Sequence, residues 1–179
     1  MTAYNSMLAL LETQLPYDCH IHKTSIHENG ISVSIKKVQG EIIRFFLTDN
    51  SLARACFAMN KQGVKCCDYL LLYTKENTTK KTELLCFIEL KGKDIDKAGK
   101  QILDTSKHIA EFSQQHLDKK QQPNVTKAAA IFLHERAPAY QSRRERDKLA
   151  RIFDITHIDI KHGVQRGHDI GQFIRSIYP

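Results

Sequence analysis

Asp68, Glu89 and Lys91 carry charge where charge is costly. Asp68 follows Cys67 at the opening of the apolar run CDYLLLY, and Glu89 and Lys91 lie at the close of a second, LLCFIELK. The polar stretch KENTTKKTE between them reads as the loop of a β-hairpin. Side chains alternate along a strand, so Glu89 and Lys91 share a face, one pleat apart. Antiparallel pairing would bring the start of the first run beside the end of the second, and Asp68 beside both. Two adjacent carboxylates raise each other's proton affinity unless a cation lies between them. Oxygen ligands suit a hard divalent ion, and Mg²⁺ is the usual occupant when a substrate brings phosphate.

Asp68, then Glu89-Leu90-Lys91, then a helix carrying Gln101 resembles the PD-(D/E)xK nuclease superfamily. The phrases IELKGKD and KAGKQI look closest to its small stand-alone bacterial members. The resemblance covers the middle of the chain, from Cys67 to Gln101. It implies a restriction-endonuclease-like αβββαβ core, with Asp68 and Glu89 as metal ligands and the Leu90 backbone carbonyl as a third. It also implies that Lys91 holds the attacking water and that Gln101 positions the water or a neighbouring ligand. Glu12, on the first predicted helix, would be the added acid that members often supply. The cofactor implied is Mg²⁺ or Mn²⁺. The activity implied is hydrolysis of nucleic-acid phosphodiester bonds, with a DNA endonuclease as the leading expectation. One departure is that Cys66 and Cys67, rather than proline, precede the first aspartate.

The acid-x-Lys pattern recurs at Asp118-Lys119-Lys120 and at Asp159-Ile160-Lys161. The first lies in a polar tract and reads as a solvated face. The second lies in a strand-like run but lacks an upstream apolar run opening with Asp and a following amphipathic helix.

A chain of 179 residues with 41% hydrophobic and 26% charged residues fits a single domain over 1–179 with a sizeable core. The net charge of +7 favours a polyanionic partner, and the resemblance implies DNA before RNA. No apolar run is long enough to span a bilayer and the N-terminus has no signal-peptide pattern, so no membrane partner is expected. Five cysteines, mostly within apolar sequence, suit thiols in a reducing, cytoplasmic compartment. The best zinc set would be Cys19, His20 and His22 with Cys66 or Cys67, but its spacing is irregular and CxxC is absent.

The elements that must position the triplet follow in chain order. Leucine spacing predicts a helix over 3–15, ended by Pro16. The span 18–30 is polar and reads as a loop, with His20, His22 and His27 at its surface. The runs 31–38 and 41–47 read as a hairpin turning at Gln39-Gly40. Thr48 to Ser51 is a helix-capping signal before a short helix or an irregular crossing segment over 52–59, and Asp49 there is a capping candidate more than a metal ligand. Asp94 caps a long helix to about His116 with Ile95, Ala98, Ile102, Ile109 and Phe112 as its apolar stripe. Lys97, Gln101, Thr105 and His108 form a neighbouring polar stripe. A polar linker is predicted over 117–127, and 128–134 reads as a buried parallel or central strand. A basic helix over 143–153 presents Arg144, Lys148 and Arg151 which, with Lys97, could grip a nucleic-acid backbone. A strand over 155–161 and a helix over 169–177 finish the chain.

That order makes an α/β (α+β) domain with a central mixed sheet flanked by helices. Two further classes stay open: a nucleic-acid- or partner-binding module without turnover, and a nuclease subunit active only within a larger complex; a homodimer or a partner subunit also stays open.

Overall fold

A computed structural model describes residues 4–75, 82–91, 93–118, 124–135, 138–153, 155, 157–164 and 167–178. The protein is α/β, with a mixed six-stranded sheet, a small second sheet and helices packed against them. Strands β1 (His20–Ile21), β2 (Ser25–Glu28), β3 (Ile31–Ser34), β4 (Glu41–Leu47), β5 (Tyr69–Lys75), β6 (Thr82–Lys91), β7 (Asn124–Leu133), β8 (His157–His162) and β9 (His168–Asp169) are joined by five helices. These are α1 (Met7–Gln14), α2 (Ser51–Cys56), α3 (Ile95–His116), α4 (Ala139–Phe153) and α5 (Gly171–Ile177).

The main sheet runs β1-β4-β5-β6-β7-β8 and the second runs β2-β3-β9. β5 and β6 pair antiparallel, whereas β6-β7 and β7-β8 are parallel. The order α1, β4, β5, β6, α3, β7 contains the αβββαβ sequence of elements, with β1 to β3 lying between α1 and β4.

β6 is buried from Glu83 to Leu90 because it has strands on both sides and a core on each face. Leu85 and Phe87 pack toward α1 and α3, against Leu10, Ile102 and Ile109. Leu84, Cys86, Ile88 and Leu90 pack on the other face with Ile26, Val33 and Ile174 from β2, β3 and α5. Continuous burial on both faces is what parallel and central strands require, and the alanines of β7 give this layer its close approach.

Several local expectations are corrected. The span 18–30 contains a 3₁₀ turn, β1 and β2. The runs 31–38 and 41–47 supply strands that do not pair with each other: β3 pairs with β2 and β9, and β4 with β1 and β5. The two-residue turn Asn29-Gly30, with φ of 52° and 76°, decides this. Positive φ at both central residues matches the twist of a hairpin, and it outcompetes Gln39-Gly40. β7 begins at Asn124, inside the expected linker, α4 begins at Ala139, and β9 takes residues expected in the last helix. The loop between β5 and β6, Lys119 and Lys120, and the side chains of Ile152 and Phe153 lie outside the described residues.

Candidate active site

The β5–β6 ladder pairs Tyr69 with Ile88, so one step further sets Asp68 opposite Glu89. β5 has ended there while β6 continues to Lys91. Side chains replace the missing ladder. The Leu90 N–H donates to Asp68 Oδ2 at 2.7 Å, and the Asp68 N–H donates to Glu89 Oε2 at 3.1 Å. Lys91 Nζ lies 2.5 Å from Glu89 Oε1 and 3.9 Å from Asp68 Oδ1. The ammonium is the partner of Glu89 Oε1, which accepts no other hydrogen bond among the described residues.

Asp68 is 1% exposed and Glu89 fully buried, while the Lys91 side chain keeps 17% of its surface. Burial pushes the Asp68 carboxyl up to about 6, against the pull of the Leu90 N–H and Lys91. Burial and then the Asp68 charge push Glu89 up to about 9. Burial works against the Lys91 ammonium, but Glu89 and Asp68 outweigh it and hold Lys91 above its ordinary range. Such paired carboxyls bind a proton or a cation, since neither ionises easily alone.

The segment before Asp68 is fixed from both sides. Thr48 Oγ1 donates to the Cys67 carbonyl at 2.5 Å, and the Thr48 N–H donates to the Asp68 carbonyl at 3.1 Å. From α3, Gln101 Nε2 donates to the Cys66 carbonyl at 2.6 Å. The Cys67 N–H donates to Thr105 Oγ1 at 2.8 Å, and that hydroxyl donates to the Gln101 carbonyl, also at 2.8 Å. Asp94 caps α3 by accepting from the Lys97 N–H, which sets the helix's rotation.

Gln101 therefore acts on backbone. Its amide nitrogen grips residue 66, and its Oε1 is buried with no hydrogen-bond partner among the described residues. Glu12 forms an ion pair with Arg44 of β4 at 2.8 Å, partly exposed, in place of the expected contact with the two carboxylates. Asp49 pairs with Arg54, and Asn50 caps α2. The rival Asp159 pairs with Lys161 at 3.4 Å on β8, opposite Ala130 rather than a second acid.

Of the expected backbone-binding residues, Lys97 and Arg151 are exposed. Arg144 pairs with Asp96 and Lys148 with the buried Glu145, 3.5 Å away, so both also tie α4 to itself and to α3. They line an open hollow of about 480 Å³ with Tyr140, Arg143, Asp147 and Arg151.

Sequence reasoning placed Thr48 in a capping signal and Thr105 on the polar stripe of α3 without giving either a part in the site, and it missed Glu28 and Asn29. Asn29 Nδ2 donates to the Leu90 carbonyl at 2.9 Å. The Glu28 charge acts on Asp68 and Lys91. Thr105 follows Gln101 by one helical turn, a detectable spacing, whereas nothing in the sequence announces the approach of residues 28 and 29.

Among the described residues, no three His, Cys, Asp or Glu side chains converge into a metal cage. The oxygen set on hand is Asp68, Glu89 and the Leu90 carbonyl. It fits Mg²⁺ or Mn²⁺, since Mg²⁺ keeps several waters and takes one or two carboxylates. The fit rests on two buried carboxylates side by side, with Glu89 Oε1 already against the Lys91 ammonium, 2.5 Å away. The zinc set does not fit: Cys19 Sγ instead contacts Asn50 Oδ1 at 3.6 Å. Comparison with protein-family models, curated proteins and solved structures gave no match.

Proposed function

We propose that the protein is a metal-dependent nuclease that hydrolyses phosphodiester bonds, acting on DNA as an endonuclease. The observation that carries this is the mutual grip of Asp68 and Glu89 at the end of the β5–β6 ladder, with Lys91 against both. Bound Mg²⁺ or Mn²⁺ would lower the pKa of a water and neutralise phosphate charge. Asp68 and Glu89 would hold the ion, and their backbone bonds keep both carboxylates in place before substrate arrives. Lys91, the most accessible of the three, would steady the water and offset charge building on phosphorus. Gln101 and Thr105 would position Asp68 through residues 66 and 67.

The net charge of +7 supports a polyanionic substrate, and exposed Lys97 and Arg151 offer phosphate contacts. No helix among the described residues is long and apolar enough to cross a membrane. All five cysteines are free thiols, which fits a reducing compartment such as the cytoplasm.

The second reading is a binding module, or a subunit active only within a larger complex or dimer. The near-complete burial of both carboxylates favours it, because an ion and a phosphate need access. Plasmid, linear duplex and single strands incubated with Mg²⁺, Mn²⁺ or EDTA separate the two. Metal-dependent nicking, lost in Asp68→Ala and Lys91→Ala, supports the enzyme. Binding without cutting in every condition moves the assignment to the module or subunit.

A further inference from the structure

The Leu90 carbonyl is the one backbone oxygen of the candidate centre, and its direction is fixed by a residue far away in sequence. In a strand the N–H and C=O of one residue point to the same side. The Leu90 N–H reaches Asp68, so its carbonyl also faces the gap left where β5 ends. Into that gap comes the turn of the β2–β3 hairpin, whose strands pack on the opposite face of the sheet. The Tyr69 hydroxyl donates to the His27 carbonyl at 3.3 Å, tying the hairpin to the start of β5. Asn29 then donates its side-chain amide to the Leu90 carbonyl at 2.9 Å.

The residue type is informative. Asn29 has φ of 52°, a left-handed conformation that glycine adopts more readily. Asparagine tolerates that region, and here it brings a donor that glycine lacks. A carbonyl oxygen has two lone pairs, so one taken by Asn29 leaves the other available. Glu28, the preceding residue, adds its negative field at Asp68, Lys91 and Tyr69.

We infer that Asn29 is a positioning residue of the metal centre, its amide fixing the Leu90 carbonyl so that the remaining lone pair faces the ion held by Asp68 and Glu89. The inference rests on the metal-dependent reading. The hairpin thereby becomes a third contributor to the centre, alongside the β5–β6 ladder and α3.

Two measurements on the full chain test it. Mn²⁺ titration followed by electron paramagnetic resonance is run on the wild type, Asn29→Gly and Asp68→Ala, with a urea midpoint for each. Glycine keeps the turn, so Asn29→Gly is expected to weaken Mn²⁺ binding about tenfold while its urea midpoint stays near that of the wild type. Equal Mn²⁺ affinity in wild type and Asn29→Gly overturns the positioning role, whatever happens to the midpoint. On the wild type alone, the Asn29 side-chain amide resonance is expected to shift during Mg²⁺ titration together with the Leu90 N–H. A Leu90 shift with Asn29 unmoved overturns the inference and spares the metal reading. A wild type that binds neither ion overturns the metal reading, and this inference with it.

Discussion

Asp68 and Glu89 each bind the backbone of the other's strand. The Leu90 N–H donates to Asp68 at 2.7 Å, and the Asp68 N–H donates to Glu89 at 3.1 Å. The two carboxylates thus substitute for the ladder bonds that β5 no longer supplies. Removing either side chain leaves a backbone N–H at the strand end without its acceptor.

Metal should stabilise the fold through that pair. With Mg²⁺ at one hundred times its dissociation constant, the wild type should gain about 2.7 kcal/mol. Thermal melting with Mg²⁺ and with EDTA measures this. Asp68→Ala should show no metal-dependent shift.

Thr105 should matter to activity without touching substrate. Thr105→Val keeps the shape but leaves the buried Cys67 N–H without its acceptor, at a cost of about 1–3 kcal/mol. Urea unfolding reads the stability loss. Plasmid nicking at a temperature where the variant stays folded should be slower, because the segment carrying Asp68 loses a fixed point.

Glu83 holds the start of α1. Its carboxylate accepts from the Met7 N–H at 2.6 Å and the Leu8 N–H at 3.1 Å. A carboxylate at a helix N-terminus satisfies orphan donors and complements the dipole. Glu83→Ala should destabilise by about 1–2 kcal/mol in urea unfolding. Glu83 opens β6 and Glu89 lies near its close, so nicking activity of the folded fraction should be unchanged.

Gly99 should not accept a methyl group. A Cβ there would collide with the buried Glu145 carboxylate of α4. Gly99→Ala adds helix propensity yet overfills the contact, so a net loss of about 1–3 kcal/mol is expected. Gly99→Ala combined with Glu145→Ala should recover part of that loss in the same urea assay.

The ion pair of Glu41 and Arg175 should give an acid-sensitive component of stability. Arg175 Nε donates to Glu41 Oε1 at 2.7 Å, and Tyr73 and the Val38 N–H donate to the same carboxylate. The Arg175 hydrogen bond, working against burial, lowers the Glu41 pKa from 4.5 to about 2. Because the folded value lies below the unfolded one, this stability is fully present above about pH 4.5 and is lost as pH falls toward 2. Arg175→Ala should lower stability at neutral pH by about 1–2 kcal/mol, by removing the charged donor from a carboxylate that keeps Tyr73 and the Val38 N–H. It should also flatten the fall in urea midpoint on acidification.

The Asp68–Glu89–Lys91 geometry and the long capped helix α3 were legible because strong apolar runs and a fixed period of two leave little freedom in register. The parallel setting of β7 was legible for the same reason, from its unbroken apolar character. The β2 and β3 pairing was not, since His27 and Glu28 hide a strand with one buried apolar residue, Ile26. Spacing placed Gln101 beside the site but could not say which end of its amide finds a partner: Nε2 reaches the Cys66 carbonyl, two residues before Asp68. Glu12 was misread because α1 lies across the sheet with that residue over Arg44, a relation set by helix packing and the Glu83 cap.

The parallel strands β6, β7 and β8 all finish at the end of the sheet where Glu89 and Lys91 stand. In open α/β sheets the carboxyl ends of parallel strands border the ligand crevice. The chain segments leaving β7 and β8 therefore flank the centre while contributing none of its proposed ligands. On the nuclease reading proposed above, insertions after β7 and β8 would change target preference and leave Asp68, Glu89 and Lys91 in place.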